Sequence, residues 1–215
     1  MRIGRMLLLM QRESSRRGAP VLSVESAIGR GPFAILSFTV LSARTRDETT
    51  ISAGRRLLSR APTPHKLARL TLPQIQKLIY PVGFYKTKAR HLHSLSRTLI
   101  RNFRGEVPGD FKSLISLPGV GRKTANIVLA SAFGKHTIGV DTHVHRISNR
   151  LGLVKTKTPG KTNDALDRLI PEKYKKKLNM SMVAFGQTVC TPLRPKCREC
   201  PLSKTCPKIG VHPKA

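Results

Sequence analysis

The chain has 215 residues, with 40 lysines and arginines against 11 aspartates and glutamates, a formal net charge of +29. That excess is far beyond a solubility margin and implies a polyanionic partner, most simply nucleic acid. Aromatic residues make up only 5% and tryptophan is absent, which argues against a surface built on many base-stacking platforms. No stretch of about 18 uninterrupted apolar residues is present to span a bilayer.

In chain order, residues 1–13 predict a first amphipathic helix, with Arg2, Arg5 and Arg12 flanking the apolar run Met6 to Met10. The same Arg-rich composition is that of an organelle presequence, and the helix is the preferred reading. Glu13 to Gly31 reads as a polar connection, closed by a breaker cluster at Gly29 to Pro32. Phe33 to Leu41 is nearly continuous apolar sequence, longer than a typical buried strand and poor in β-branching, so it predicts a buried helix. Asp47 is the expected N-cap of a helix running to Ser59, with Glu48 favourably placed against the dipole. Thr63-Pro64 and Thr71-Leu72-Pro73 open two shorter helices, and Val82 to Tyr85 is a turn.

A long helix is predicted over Lys86 to Phe103. Ala89, Leu92, Leu95, Leu99 and Phe103 recur on it at three- and four-residue intervals. Its expected polar face carries Lys86, Lys88, Arg90, Arg97 and Arg101, continued by Arg104, with no acids to balance them. That imbalance favours phosphate contact. Further helices are predicted over Phe111 to Ser116, Thr142 to Leu151, Asn163 to Ile170 and Ser181 to Val189. Residues 152–162 read as a loop and Lys173 to Lys177 as a basic cluster. No segment sustains period-two alternation, so the expected fold class is all-α.

The most informative stretch is Leu117-Pro118-Gly119-Val120-Gly121-Arg122-Lys123-Thr124-Ala125. Leu117-Pro118 leads out of one helix. Gly119 and Gly121 permit positive φ and leave no side chain over the backbone. The turn therefore aims bare N–H groups and a helix N-terminus outward, which makes a phosphate site. Lys123 lies in the first turn of the second helix, where the positive end of the dipole disfavours its ammonium form. Val140-Asp141-Thr142-His143 follows downstream, and Asp141 is the expected N-cap of the helix over Thr142 to Arg150.

These residues resemble the helix-hairpin-helix of the endonuclease III family of DNA glycosylases. The resemblance rests on the Pro-Gly-Val-Gly turn, the lysine two residues after its second glycine, and Val-Asp-Thr-His at the family's distance. It extends from about residue 5 to 207. It implies two helical lobes with a DNA-binding cleft between them: a helical barrel over 25–135 that contains the hairpin at about 111–130, and a second lobe joining 1–24 to 136–215. The implied activity is a bifunctional glycosylase and abasic-site lyase of base excision repair, removing oxidised pyrimidines. Lys123 is then the nucleophile and Asp141 its electrostatic partner, with Gly119, Val120, Gly121 and Arg122 binding the DNA backbone. By the same resemblance Arg44 and Phe84 fill the gap left by a flipped base. The family commonly has Gln at the place of Arg44, and Arg offers donors only. Two alternatives stay open: a mismatch-type thymine or uracil glycosylase, whose members usually have Tyr or Ser in place of Lys123, and a hairpin protein that only binds DNA.

All four cysteines fall in the last 26 residues, as Cys190-x6-Cys197-x2-Cys200-x5-Cys206. Such clustering argues for a metal site in a reducing compartment, since a disulfide framework would scatter them. A four-thiolate zinc site normally shows two Cys-x-x-Cys knuckles well apart, and here only one pair has that spacing. The spacing matches the family's cluster loop, which implies a [4Fe–4S] cofactor. The expected partner is double-stranded DNA carrying damaged bases or abasic sites, bound by a monomer. The expected location is the cytoplasm of a prokaryote, or the nucleus or an organelle of a eukaryote.

Overall fold

The computed structural model describes residues 2–29 and 31–211. The described residues form α-helices and one short 3₁₀ turn, with no strand among them. The chain divides into two compact units, one of residues 1–22 and 136–215, the other of residues 23–135. Each unit has its own apolar core.

The unit of residues 23–135 holds α3 (Pro32–Ser42) through α9 (Arg122–Phe133), with α4 (Asp47–Arg60), α5 (Pro64–Ala68), α6 (Leu72–Ile79), α7 (Tyr85–Phe103) and α8 (Phe111–Ile115) between them. Pro32 sits in the first turn of α3, where its missing N–H costs nothing. From Ile35 to Leu41 every residue of α3 is buried, as its uninterrupted apolar sequence predicts. Thr71 and Gln74 make a reciprocal capping box that starts α6. The stripe of α7 formed by Ala89, Leu92, Leu95 and Leu99 has no exposed surface and fills the centre of this core, with Leu36, Leu57, Ile75 and Ile79.

In the other unit, α1 (Ile3–Arg16) packs on α12 (Glu172–Thr188) through Met6, Leu7 and Met10. The α10 (Thr142–Arg150) and α11 (Pro159–Leu169) helices complete the core with Val144, Ile147 and Leu166.

Four sequence expectations are corrected. The segment Glu13 to Gly31 is largely helical, because α1 runs on to Arg16 and α2 occupies Pro20–Ala27. Glu13 pairs with both Arg16 and Arg17, three and four residues ahead, and so extends α1 by a turn. The N-cap of α4 is Arg46; Asp47 is its first residue and acts on the dipole from inside the first turn. Thr158 caps α11 through the Lys161 N–H at 3.3 Å, so that helix starts inside the expected loop. The basic run Lys173 to Lys177 lies within α12, which starts at Glu172. Among the described residues no helix is long and apolar enough to cross a membrane.

Truncating Leu92 to alanine removes a fully buried side chain from the centre of the 23–135 core. The expected loss is about 2–5 kcal/mol, read from denaturant or thermal unfolding of the full chain.

Candidate active site and cysteine loop

The hairpin is built from α8, a tight turn and α9. Asp110 Oδ1 accepts from the Ser113 N–H at 2.9 Å and starts α8. The Val120 N–H donates to the Leu117 carbonyl at 3.1 Å, closing a turn in which Gly119 has φ +79°. Leu117 and Val120 are buried in the core on either side of the exposed Gly119. A Cβ on Gly119 would lie 2.8 Å from three side-chain atoms of His91 on α7. Glycine is thus required there twice over, by conformation and by space. Gly121 differs from the expectation: it is extended (φ −95°, ψ 176°) and caps α9, and a Cβ at this position would meet nothing within 4 Å. The folded chain therefore makes no steric demand for glycine at 121. Lys123 is the second residue of α9 and half-buried, one position after the exposed Arg122.

Arg44 and Phe84 are brought together. Both adopt left-handed backbone, φ 51° and 57°, and the Arg44 guanidinium lies 5.7 Å from the centre of the Phe84 ring. Phe84 is 63% exposed, so it is not a core residue of its turn. Lys88 departs from the expected basic face. It is buried, and its Nζ donates to the Leu41 carbonyl at 2.7 Å, the Ala43 carbonyl at 2.5 Å and Thr45 Oγ1 at 3.0 Å. Burial, with a smaller contribution from the charge of Lys123, lowers its pKa to about 8. The sequence held a signal for this, because Lys88 lies four residues before Leu92 and so falls on the apolar stripe. Lys86, Arg90, Arg97, Arg101 and Arg104 remain exposed.

Asp141 belongs to the other unit. Its Oδ1 accepts from the Val144 N–H at 2.9 Å and caps α10. Asn179 of α12 donates to the carbonyl of Gly139, two residues upstream, at 2.5 Å. His143 and His145 are partnered within this unit: Arg146 lies 3.1 Å from His143 Nδ1, and Thr162 Oγ1 lies 2.6 Å from His145 Nδ1.

The four cysteines are free thiols, each half-buried. They line one cavity whose walls include Ile147, Phe185, Val189 and Leu202. Two arginines of α10 hold the start of this loop. Arg150 donates to the carbonyls of Thr191 and Pro192 at 2.7 and 2.6 Å and lies 3.5 Å from Cys190 Sγ, and Arg146 donates to the Cys190 carbonyl at 2.8 Å. Sequence reasoning passed over both, since each looks like one more cation in a basic chain. Burial pushes the Cys200 thiol up to about 11 and raises that of Cys206. A metal that binds these sulfurs displaces their protons. Among the described residues no group of three or more His, Cys, Asp or Glu side chains converges closely enough to hold a single metal ion.

A family model described as HhH-GPD superfamily base excision DNA repair protein matches residues 38–172. Endonuclease III of Thermotoga maritima is 49% identical over 175 residues, 81% of this chain and 82% of the relative. The chain belongs to the endonuclease III family. Among solved structures it is similar to a non-covalent endonuclease III–DNA complex (34% identity, TM-score 0.85, covering 96% of this chain and 94% of the other). It is also similar to a trapped endonuclease III–DNA covalent intermediate (37% identity, TM-score 0.80, covering 84% and 85%). The all-α architecture and the hairpin described above are those of this family.

The two hairpin glycines are expected to separate stability from binding. Gly119→Ala places a side chain in left-handed backbone against His91 and should cost at least ~1–2 kcal/mol in thermal unfolding. Gly121→Ala should leave the melting temperature unchanged while weakening affinity for a duplex oligonucleotide.

Proposed function

We propose that this endonuclease III family member removes oxidised pyrimidines from duplex DNA and then cuts the strand as an abasic-site lyase. The observation that carries the reading is Lys123 in the first turn of α9, directly after the hairpin turn. A hairpin protein that only binds DNA would use Lys123 as a phosphate contact, but a carboxylate such as Asp141 is repelled by phosphates and wants a cationic partner; the mismatch-type relatives lack the lysine.

In this reading the damaged nucleotide is turned out of the helix. The neutral amine of Lys123 attacks the sugar C1′, the C1′–N bond to the base breaks, and the base leaves with a proton. A proton is then delivered to O4′, the C1′–O4′ bond opens, and the resulting iminium between Lys123 and C1′ acidifies the C2′ hydrogen. Its removal expels the 3′ phosphate, and water then hydrolyses the imine and frees Lys123. Asp141 stabilises positive charge developing on the sugar and assists the proton transfers of Lys123. Gly119, Val120, Gly121 and Arg122 hold a backbone phosphate through the turn and the start of α9. Arg44 and Phe84 occupy the gap left by the flipped base.

The cysteines Cys190, Cys197, Cys200 and Cys206 hold a [4Fe–4S] cluster in this proposal. The four cysteines line one shared cavity with the apolar side chains of Ile147, Phe185, Val189 and Leu202, and four-cysteine ligation with a single Cys-x-x-Cys pair suits a multi-iron group. When bound, the cluster supplies a covalent cross-link that fixes the loop, and the Lys123 chemistry does not pass through it.

Borohydride trapping on duplexes with thymine glycol or an abasic site tests the mechanism. Lys123→Gln should abolish both the trapped adduct and strand cleavage while damaged-DNA binding persists; a near-normal adduct yield would overturn the assignment. Asp141→Asn retains a capping oxygen and should fold and bind, yet lose about 10²–10³ in rate, as for removal of one preorganised electrostatic group.

The cluster has its own test. The purified protein should be yellow-brown with iron and sulfide in equal amounts, about four each per chain. A colourless protein with one zinc would refute the cluster.

A further inference from the structure

Arg44 and Phe84 hold left-handed backbone in two neighbouring turns. Bulky residues persist in that region only where the surroundings over-determine it. Here the surroundings converge on one side chain. Lys88 is 6% exposed, and its ammonium has three donors and no acceptor. All three donors are used, on the Leu41 and Ala43 carbonyls and on Thr45 Oγ1. Leu41 and Ala43 lie at the C-terminal end of α3, where carbonyls lack helical partners and the dipole favours a cation. The acceptors from residues 43 and 45 bracket Arg44, so the amine fixes the backbone on both sides of it.

The same group reaches the second turn. Thr45 Oγ1 also accepts from the Gly83 N–H at 3.2 Å. Gly83 packs directly on the Arg44 turn, since a Cβ there would lie 2.5 Å from the Arg44 carbonyl oxygen. Phe84 follows Gly83 and caps α7, the helix that carries Lys88 one turn later. Lys88, Thr45 and Gly83 thus close a ring of contacts around the base of the Arg44–Phe84 pair.

We propose that Lys88 is a positioning residue that locks the Arg44 and Phe84 turns into one preformed unit, and that this lock sets the enzyme's preference for the base opposite the lesion. The second half rests on the reading of Arg44 and Phe84 as the residues that fill the gap in the duplex. A reader held in advance discriminates among opposite bases, because a wrong base leaves its fixed donors unpaired. A loose reader adapts and discriminates less.

The test uses the full chain and three variants. Lys88→Met keeps the length of the side chain and removes the amine; Thr45→Val removes only the hydroxyl that links the two turns, and serves if Lys88→Met does not fold. Arg44→Ala is the reference for loss of the reader. Two measurements are made on each: hydrogen exchange of the DNA-free protein, and kcat/KM on thymine-glycol duplexes with each of the four bases opposite.

Lys88→Met should speed exchange at residues 43–45 and 83–84 by at least about tenfold while residues 92–99 of α7 stay protected. It should also lower kcat/KM for the favoured opposite base by about tenfold, within the range that a misplaced positioning group costs, and flatten the ratios towards those of Arg44→Ala. Unchanged exchange at both turns would overturn the lock. Faster exchange with wild-type ratios, while Arg44→Ala alters them, would overturn its role in preference. If Arg44→Ala itself leaves the ratios unchanged, the gap-filling reading fails, and faster exchange in Lys88→Met still supports the lock.

Discussion

Leu117 and Val120 are driven into the core of the 23–135 unit, and the two residues between them are forced to the surface. That constraint governs the whole hairpin. Burying both apolar side chains, with Leu114 before them and Ala125 and Val128 after, stabilises the turn by a few kcal/mol on the scale of roughly 1.5–3 per large side chain. The chain must then reverse across Pro118 and Gly119 in the space left by His91. The direction of α9 follows from this anchoring, and with it the outward placement of Gly121, Arg122 and Lys123. The exposed backbone of the turn is held in place by apolar contacts beneath it.

Charge is the second constraint. With a net charge of +29, almost any acid has a cation within reach, and the structure spends its few acids on local tasks. Glu13 and Glu199 share Arg17 and tie α1 to the 3₁₀ turn at Cys197–Glu199. Asp110 and Asp141 cap helices. Asp167 pairs with Lys175. Each of these pairs has at least one largely buried side chain, 14% exposed for Arg17 and 15% for Glu13, so they fix local register. The long basic face of α7 is left without acidic neighbours in its own helix, as a surface selected for phosphate requires.

The sequence was legible where one physical rule dominates. Apolar periodicity located α7, continuous hydrophobicity located α3, and the glycine and proline of the turn located the hairpin. The Asp141 cap was readable from a carboxylate preceding a helical pattern, and the Val144 N–H donates to it as that pattern requires. Legibility failed where two rules compete. Glu13 to Gly31 is polar enough for a loop, yet local ion pairs and Pro20 make it helical. Gly119 and Gly121 both permit positive φ, but the α9 N-cap takes extended backbone at Gly121, and of the two only Gly119 is left-handed. Lys88 was assigned to a polar face by its charge, although its position on the stripe is apolar. A single sequence gives no way to see that three acceptors wait for it in the segment from Leu41 to Thr45.

That buried lysine keeps its charge in the interior. Removing an ammonium from water is costly unless its donors are satisfied, and the two carbonyls and one hydroxyl around Lys88 meet that condition. The charge is thus retained at neutral pH, below the pKa of about 8 to which burial and Lys123 bring it. One cation fixed in the interior thus holds the Arg44 and Phe84 turns in place. An arginine at 88 would keep the charge but replace a compact three-donor head by a planar fork, which does not match acceptors gathered around one point. Position 88 accordingly asks for lysine.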